Sequence, residues 1–146
     1  MSSQNLGILV GGLLPAVCYG IAGLFSKTST DAGMPVGSHL VFIGLAVSAV
    51  GGIFNQFLPG KTPSILAIAS SSTLGAIWAL GTGCVALGLI FYQAPMAKLT
   101  PLYNMNTLIG VVLALILFSE WKTVNVGILL VGTFLICIGG ILVSRA

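Results

Sequence analysis

The sequence predicts an all-α membrane protein with five transmembrane helices, and three observations predict it. Of 146 residues, 57% are hydrophobic, only 5% are charged and 20 are glycine, whereas about a quarter of an average soluble domain is charged. The apolar residues fall into runs of spanning length, and polar stretches holding Gly or Pro separate those runs. A bilayer core of ~30 Å needs about 20 helical residues per crossing, so the chain holds at most about six or seven spans, and five once connections are allowed for. One five-helix domain over residues 1–146 is the expected organisation.

The first span is expected at about 6–26. The N-terminus ahead of it, Met1 to Asn5, lacks the basic region of a signal peptide, so this run should be retained as a helix. Lys27 to Asp31, then Gly33 and Pro35, should close it. The second span, about 39–58, should end at Pro59-Gly60-Lys61-Thr62-Pro63. Ser70 to Thr73 soften the next apolar stretch, which places the third span at about 71–92 after a short interfacial helix at 65–69. The fourth, about 95–119, begins at Pro95, because proline suits a first helical turn. The fifth runs about 124–143. Counting four spans would leave residues 64–119 to one crossing, which is too many.

Small residues recur every four positions at Gly12, Ala16 and Gly20, at Gly44, Ser48 and Gly52, and at Gly75, Ala79 and Gly83. Such flat faces let membrane helices approach closely, so helix packing is their expected role. With five spans, Lys61 and Lys122 lie on one side of the membrane, and Lys27, Lys98 and Arg145 on the other. A bias of one base hardly specifies an orientation, so insertion both ways is expected. These bases are too scattered for a nucleic-acid footprint.

No residue combination has the spacing of a catalytic site, a metal site or a phosphate cradle, so neither an enzyme nor a cofactor is expected. His39 reads as an interfacial residue, Asp31 as a solvated loop residue and Glu120 as a favourable charge before the fifth helix. Cys18, Cys84 and Cys137 read as small buried residues outside any disulfide.

Polar side chains inside spans say more, since an amide in hydrocarbon needs a partner or a wet cavity. The fourth span opens with Lys98, Thr100, Pro101, Tyr103, Asn104, Asn106 and Thr107. On a helix Tyr103, Asn106 and Thr107 share a face, with Asn104 one residue aside. Pro101 cannot donate to the carbonyl of Ala97, so an acceptor is freed one turn earlier. The set forms either one wall of a polar cavity or hydrogen-bonding glue between helices. In the first span Pro15 frees the carbonyl of Gly11, and Cys18 and Tyr19 follow. In the third, Trp78 and Thr82 share a face; Trp78 either stacks on a solute or fills a glycine-rich gap. Substrate-binding candidates are therefore Tyr19, Trp78, Thr82, Tyr103, Asn104, Asn106 and Thr107.

The segment YQAPMAKLTPLYNMN at 92–106, the FSEW at 118–121 and a closing glycine-rich helix with Gly139 and Gly140 resemble the five-helix repeat of the drug/metabolite transporter superfamily. The likeness is to its EamA-type and sugar-uptake branches, and LPAVCYG at 14–20 with FSK at 25–27 is similar to the first helix of the latter. The resemblance covers nearly the whole chain and is strongest at 92–143. It implies a half-transporter that pairs as an antiparallel homodimer, since members carry two such repeats in opposite orientation and place a substrate cavity between them, lined by the first, third and fourth helices. It also implies a multi-pass location in a bacterial or archaeal cell (inner) membrane.

The expected function is transport of a small, largely neutral polar metabolite, sugar-like or amino-acid-like. The partners are then the small-molecule substrate, the lipid bilayer and a second copy of the chain. The alternatives are export of hydrophobic or cationic compounds, as in small multidrug resistance proteins, or a non-transporting membrane subunit. The first of these is disfavoured because that family uses a carboxylate in its first helix, and no Asp or Glu falls within any expected span.

Overall fold

A computed structural model describes residues 3–58 and 60–146 of the chain. Pro59, expected to help end the second helix, lies outside the described residues, as do Met1 and Ser2. Among the described residues there is no strand, and five helices are long and apolar enough to cross a membrane: α1 (Asn5–Asp31), α2 (Val36–Phe57), α3 (Ile65–Ile90), α4 (Met96–Leu117) and α5 (Val126–Arg145). The all-α fold read from the sequence, with five helices of spanning length and composition, is present. Contacts divide the chain into two compact units, Met1–Gln93 with α1 to α3 and Ala94–Ala146 with α4 and α5.

In the first unit, α1 runs beyond the expected end at Ser26 to Asp31. Lys27 forms an ion pair with Asp31 one turn on, and the hydroxyls of Thr28 and Thr30 donate back to the carbonyls of Leu24 and Ser26. The polar residues expected to close the helix therefore extend it, because Lys27, Thr28, Thr30 and Asp31 find partners along the same helix. Asp31 is thus a paired helical residue and not a loop residue. Closure comes from Gly33, at φ +84°. Its N–H donates to Thr30 O at 3.0 Å and that of Met34 to Ser29 O at 3.2 Å, the paired bonds of a Schellman ending, which needs a left-handed residue. Near its start α1 widens into a π-helical turn at Leu9–Leu13, two residues before Pro15. The wider turn falls at Gly11 and Gly12, where the proline ring would otherwise meet the carbonyl of Gly11.

The third helix is continuous from Ile65, without a separate interfacial helix at 65–69. The Ser64 hydroxyl accepts from Ala67 N–H at 3.2 Å and starts it. Thr73 returns its hydroxyl to Ala69 O, so the hydroxyl-rich stretch is compatible with helix. The unit's buried residues gather at one end of the bundle: Thr30 of α1, His39 of α2, and Gly83, Ala86 and Leu89 of α3.

In the second unit, α5 packs along both parts of α4. Its start is capped by Asn125, whose Oδ1 accepts from Ile128 N–H at 3.1 Å. The charge expected at that helix start, Glu120, lies instead in a 3₁₀ turn, Glu120–Lys122, where its carbonyl accepts from Thr123. An uncharged amide at the capping position already satisfies a free N–H. The core holds Leu115, Thr133, Cys137 and Gly140. Cys137 is buried as expected, but Cys18 and Cys84 are exposed on their unit; a thiol on an apolar helix is as compatible with lipid or another chain as with a core.

The small-residue faces pack less within the chain than expected. A Cβ at Gly83 would meet Leu40 Cδ1 at 3.4 Å, whereas at Gly12, Gly20, Gly44, Gly52 or Gly75 it would meet nothing within 4 Å. Large apolar side chains are likewise exposed along every helix, as Leu45, Ile77 and Phe134 illustrate. That pattern suits a chain whose solvent is hydrocarbon.

Candidate functional site

The fourth helix is not the continuous span expected at 95–119. It consists of two helical segments, Met96–Tyr103 and Asn106–Leu117, and breaks at Asn104 and Met105. Pro95 precedes the first segment as its N-cap. Pro101 lies inside that segment and cannot continue the backbone ladder. Beyond it the bonds tighten to three-residue spacing: Met105 N–H donates to Leu102 O at 3.1 Å, Thr107 to Asn104 O at 3.2 Å and Leu108 to Met105 O at 3.1 Å. Residues three apart eclipse in such a turn. The tightened turn aligns Asn104 with Thr107, three residues on, in a row beside that of Tyr103 and Asn106.

Across the break lies α5, close enough that a Cβ on Gly140 would fall 2.9 Å from the carbonyl oxygen of Pro101 and 3.3 Å from Met105 Cγ. Glycine is what allows the backbones to approach here. The pair of glycines at 139–140 and the proline are visible in the sequence, but their meeting is not, since it depends on how α5 is rotated against α4.

The hydroxyls and the amides of this region differ in what satisfies them. Thr100 donates to Met96 O at 2.9 Å and accepts from the Tyr103 hydroxyl at 3.4 Å. The side chains of Asn104, Asn106 and Thr107 are exposed on their unit, and no hydrogen bond joins them to another described residue. A threonine can turn its hydroxyl onto its own helix, as Thr82 does to Trp78 O at 2.9 Å and Thr133 to Leu129 O at 2.8 Å. An asparagine carries two donors and an acceptor that its own helix does not absorb so readily.

The other candidates belong to the first unit. Tyr19 and Trp78 are exposed, at 70% and 52%, without a side-chain hydrogen bond to a described residue, and Thr82 is half-buried with its hydroxyl already used. Each unit has a shallow hollow among its described residues. The first, of about 300 Å³, is lined by residues including Thr30, Pro35, Leu87 and Phe91. The second, of about 370 Å³, lies among Leu108, Leu130, Val131, Phe134 and Leu135. Both are apolar, and neither is lined by any of the seven candidate residues. Among the described residues no three His, Cys, Asp or Glu side chains group as metal ligands.

One polar cluster escapes the sequence reading. His39 is only 5% exposed and lies one turn inside α2. Its Nδ1 is 3.1 Å from Ser29 Oγ and its Nε2 3.5 Å from Ser26 Oγ. Ser26 is the last residue of the expected first span and Ser29 lies on the extension beyond it, so the signal was lost with the boundary. Compared with protein-family models, curated proteins and solved structures, the chain matches none.

Proposed function

We propose that the chain is a membrane transporter of a small, largely neutral polar metabolite, sugar-like or amino-acid-like, and that it works as an antiparallel homodimer inserted in both orientations. The observation that carries this reading is the break in α4, where Asn104, Asn106 and Thr107 lie exposed and unpartnered in the middle of an apolar helix. Leaving one amide group in a medium that cannot hydrogen-bond costs about 4–8 kcal/mol. An interhelical hydrogen bond in a membrane returns about 1 kcal/mol. Water and a hydroxyl- or amide-bearing solute satisfy such groups more fully than a single partner helix does. Broken helices at mid-membrane are also where transporters place their substrates.

The chemistry of the patch favours an uncharged ligand. Amides and hydroxyls match the alternating donors and acceptors of a sugar or an amide, while the acids Asp31 and Glu120 lie at a helix end and in a connection, distant in sequence from the break. The likeness of residues 92–143 to the drug/metabolite transporter superfamily supports the same class. The near balance of Lys61 and Lys122 against Lys27, Lys98 and Arg145 supports dual insertion. Purified protein screened for thermal stabilisation by hexoses, pentoses and neutral amino acids tests the reading. A binder at 100 times its Kd stabilises by about 2.7 kcal/mol, and the shift should vanish in Asn106→Leu. No shift with any neutral polar solute, together with a clear shift from lipophilic cations, would replace this reading with drug export.

A further inference from the structure

Gly140 is buried on α5, in a stripe with Thr133 and Cys137. Their spacing of four and three residues keeps one face of a helix against a neighbour, and at Gly140 the neighbour is the break in α4. A Cβ on Gly140 would fall 2.9 Å from Pro101 O, ahead of the break, and 3.3 Å from Met105 Cγ, inside it. One α5 residue therefore comes against α4 on both sides of Asn104.

The turn it meets carries the amides. Asn104 and Met105 have φ/ψ of −68°/−11° and −63°/−10°. The Met105 N–H, which a regular helix would give to Pro101 O, goes to Leu102 O at 3.1 Å. With about 120° per residue in a three-residue turn, Asn104 and Asn106 stand to either side of Met105. Since Met105 meets Gly140, the residue between the two amides turns both of them away from α5. Whatever shifts Met105 and the Pro101 carbonyl against α5 re-aims both amides. An alanine Cβ at position 140 would need about half an ångström more room to reach ordinary contact with that carbonyl. A hydrogen bond keeps its strength only over about 2.7–3.2 Å, so a shift of that size spoils one bond to a bound solute.

We propose that Gly140 is a positioning residue of the solute site: by lacking a Cβ it seats α5 against Pro101 and Met105 and so sets the directions in which Asn104 and Asn106 present their amides. It touches no solute itself. Its consequence for binding rests on the transport reading, whereas the aim of the amides is a property of the second unit alone.

The purified full-length chain in lipid nanodiscs supplies both readouts. Side-chain amide NMR signals of ¹⁵N-labelled asparagine, recorded without solute, should move for Asn104 and Asn106 in Gly140→Ala and hold for Asn125. None should move in Gly139→Ala, where a Cβ meets nothing within 4 Å. Titration with the hexose, pentose or neutral amino acid that stabilises the wild type should give a Kd raised about two- to tenfold in Gly140→Ala, the loss of one neutral hydrogen bond, at unchanged stoichiometry. Gly33→Ala, destabilised to a similar extent but in the first unit, should keep the wild-type Kd, which separates aim from stability. Should Gly140→Ala not fold, the wild type decides: Overhauser contacts from the Gly140 α-protons to the Met105 side chain are expected, and their absence overturns the proposal. So do unmoved amide signals in Gly140→Ala, a wild-type Kd in that variant, or an equal loss of affinity in Gly33→Ala. A wild type that binds no neutral solute removes the transport reading instead, and the solute-free amide signals still decide whether Gly140 aims the asparagines.

Discussion

Replacing Gly140 by alanine perturbs the contact that sets the broken helix against α5. The added Cβ would lie 2.9 Å from Pro101 O, 3.3 Å from Met105 Cγ and 3.5 Å from Pro101 C. Met105 has a flexible side chain and can move aside, but the Pro101 carbonyl belongs to the backbone. Relief therefore requires α4 and α5 to separate by several tenths of an ångström. Overpacking of this kind typically costs about 1–3 kcal/mol, while alanine regains up to about 1 kcal/mol of helix propensity over glycine. The net expectation is a loss of about 1–2 kcal/mol. Thermal or denaturant unfolding in nanodiscs measures it, with Gly139→Ala as the control, since a Cβ there meets nothing within 4 Å. The control should be neutral or slightly stabilising. A Gly140→Ala protein as stable as the wild type, or a control equally destabilised, would refute the close approach at Pro101.

Other expectations follow from the same geometry. Asn106→Leu should remove solute binding yet leave a folded dimer, and gel filtration would expose the opposite case, in which the asparagine only holds helices together. Gly33→Ala should lower stability by about 1 kcal/mol in unfolding measurements, because φ +84° burdens any Cβ. Glu120→Gln should leave solute flux unchanged, as the capping group of α5 is Asn125; a loss of flux driven by a pH gradient would show the acid to be a coupling group. A reporter fused to the C-terminus should be active on both sides of the membrane, and one or two added loop lysines should drive it to one side; activity on a single side in the unmodified protein would exclude dual insertion.

The five spans were legible because hydrocarbon imposes a length and a composition that few other environments do. Their ends were less so. The polar run Lys27 to Asp31 reads as a loop by composition, yet all its side chains but that of Ser29 pair along the helix, and α1 continues another turn. Ser70 to Thr73 misled in the same way at the start of α3. The candidate patch was legible in type, since amides beside a proline stand out in an apolar run. Its form was not: a helix was expected to continue through Asn104 and Met105, and the tightened turn there follows Pro101, where Gly140 approaches the backbone. His39 alone carries no spacing signal, because its partners stand 10 and 13 residues away and become neighbours only when α1 and α2 pack.

Solute flux into liposomes containing only the purified chain tests the central claim most directly, namely that the polar break in α4 serves a transported solute. With an inward-directed gradient of a neutral sugar or amino acid identified by the stabilisation screen, uptake should be saturable, should proceed without an imposed pH gradient and should fall to the level of empty liposomes in Asn106→Leu. Uptake that is equal in the wild type and in Asn106→Leu, or no uptake of any solute that stabilises the protein, would contradict it.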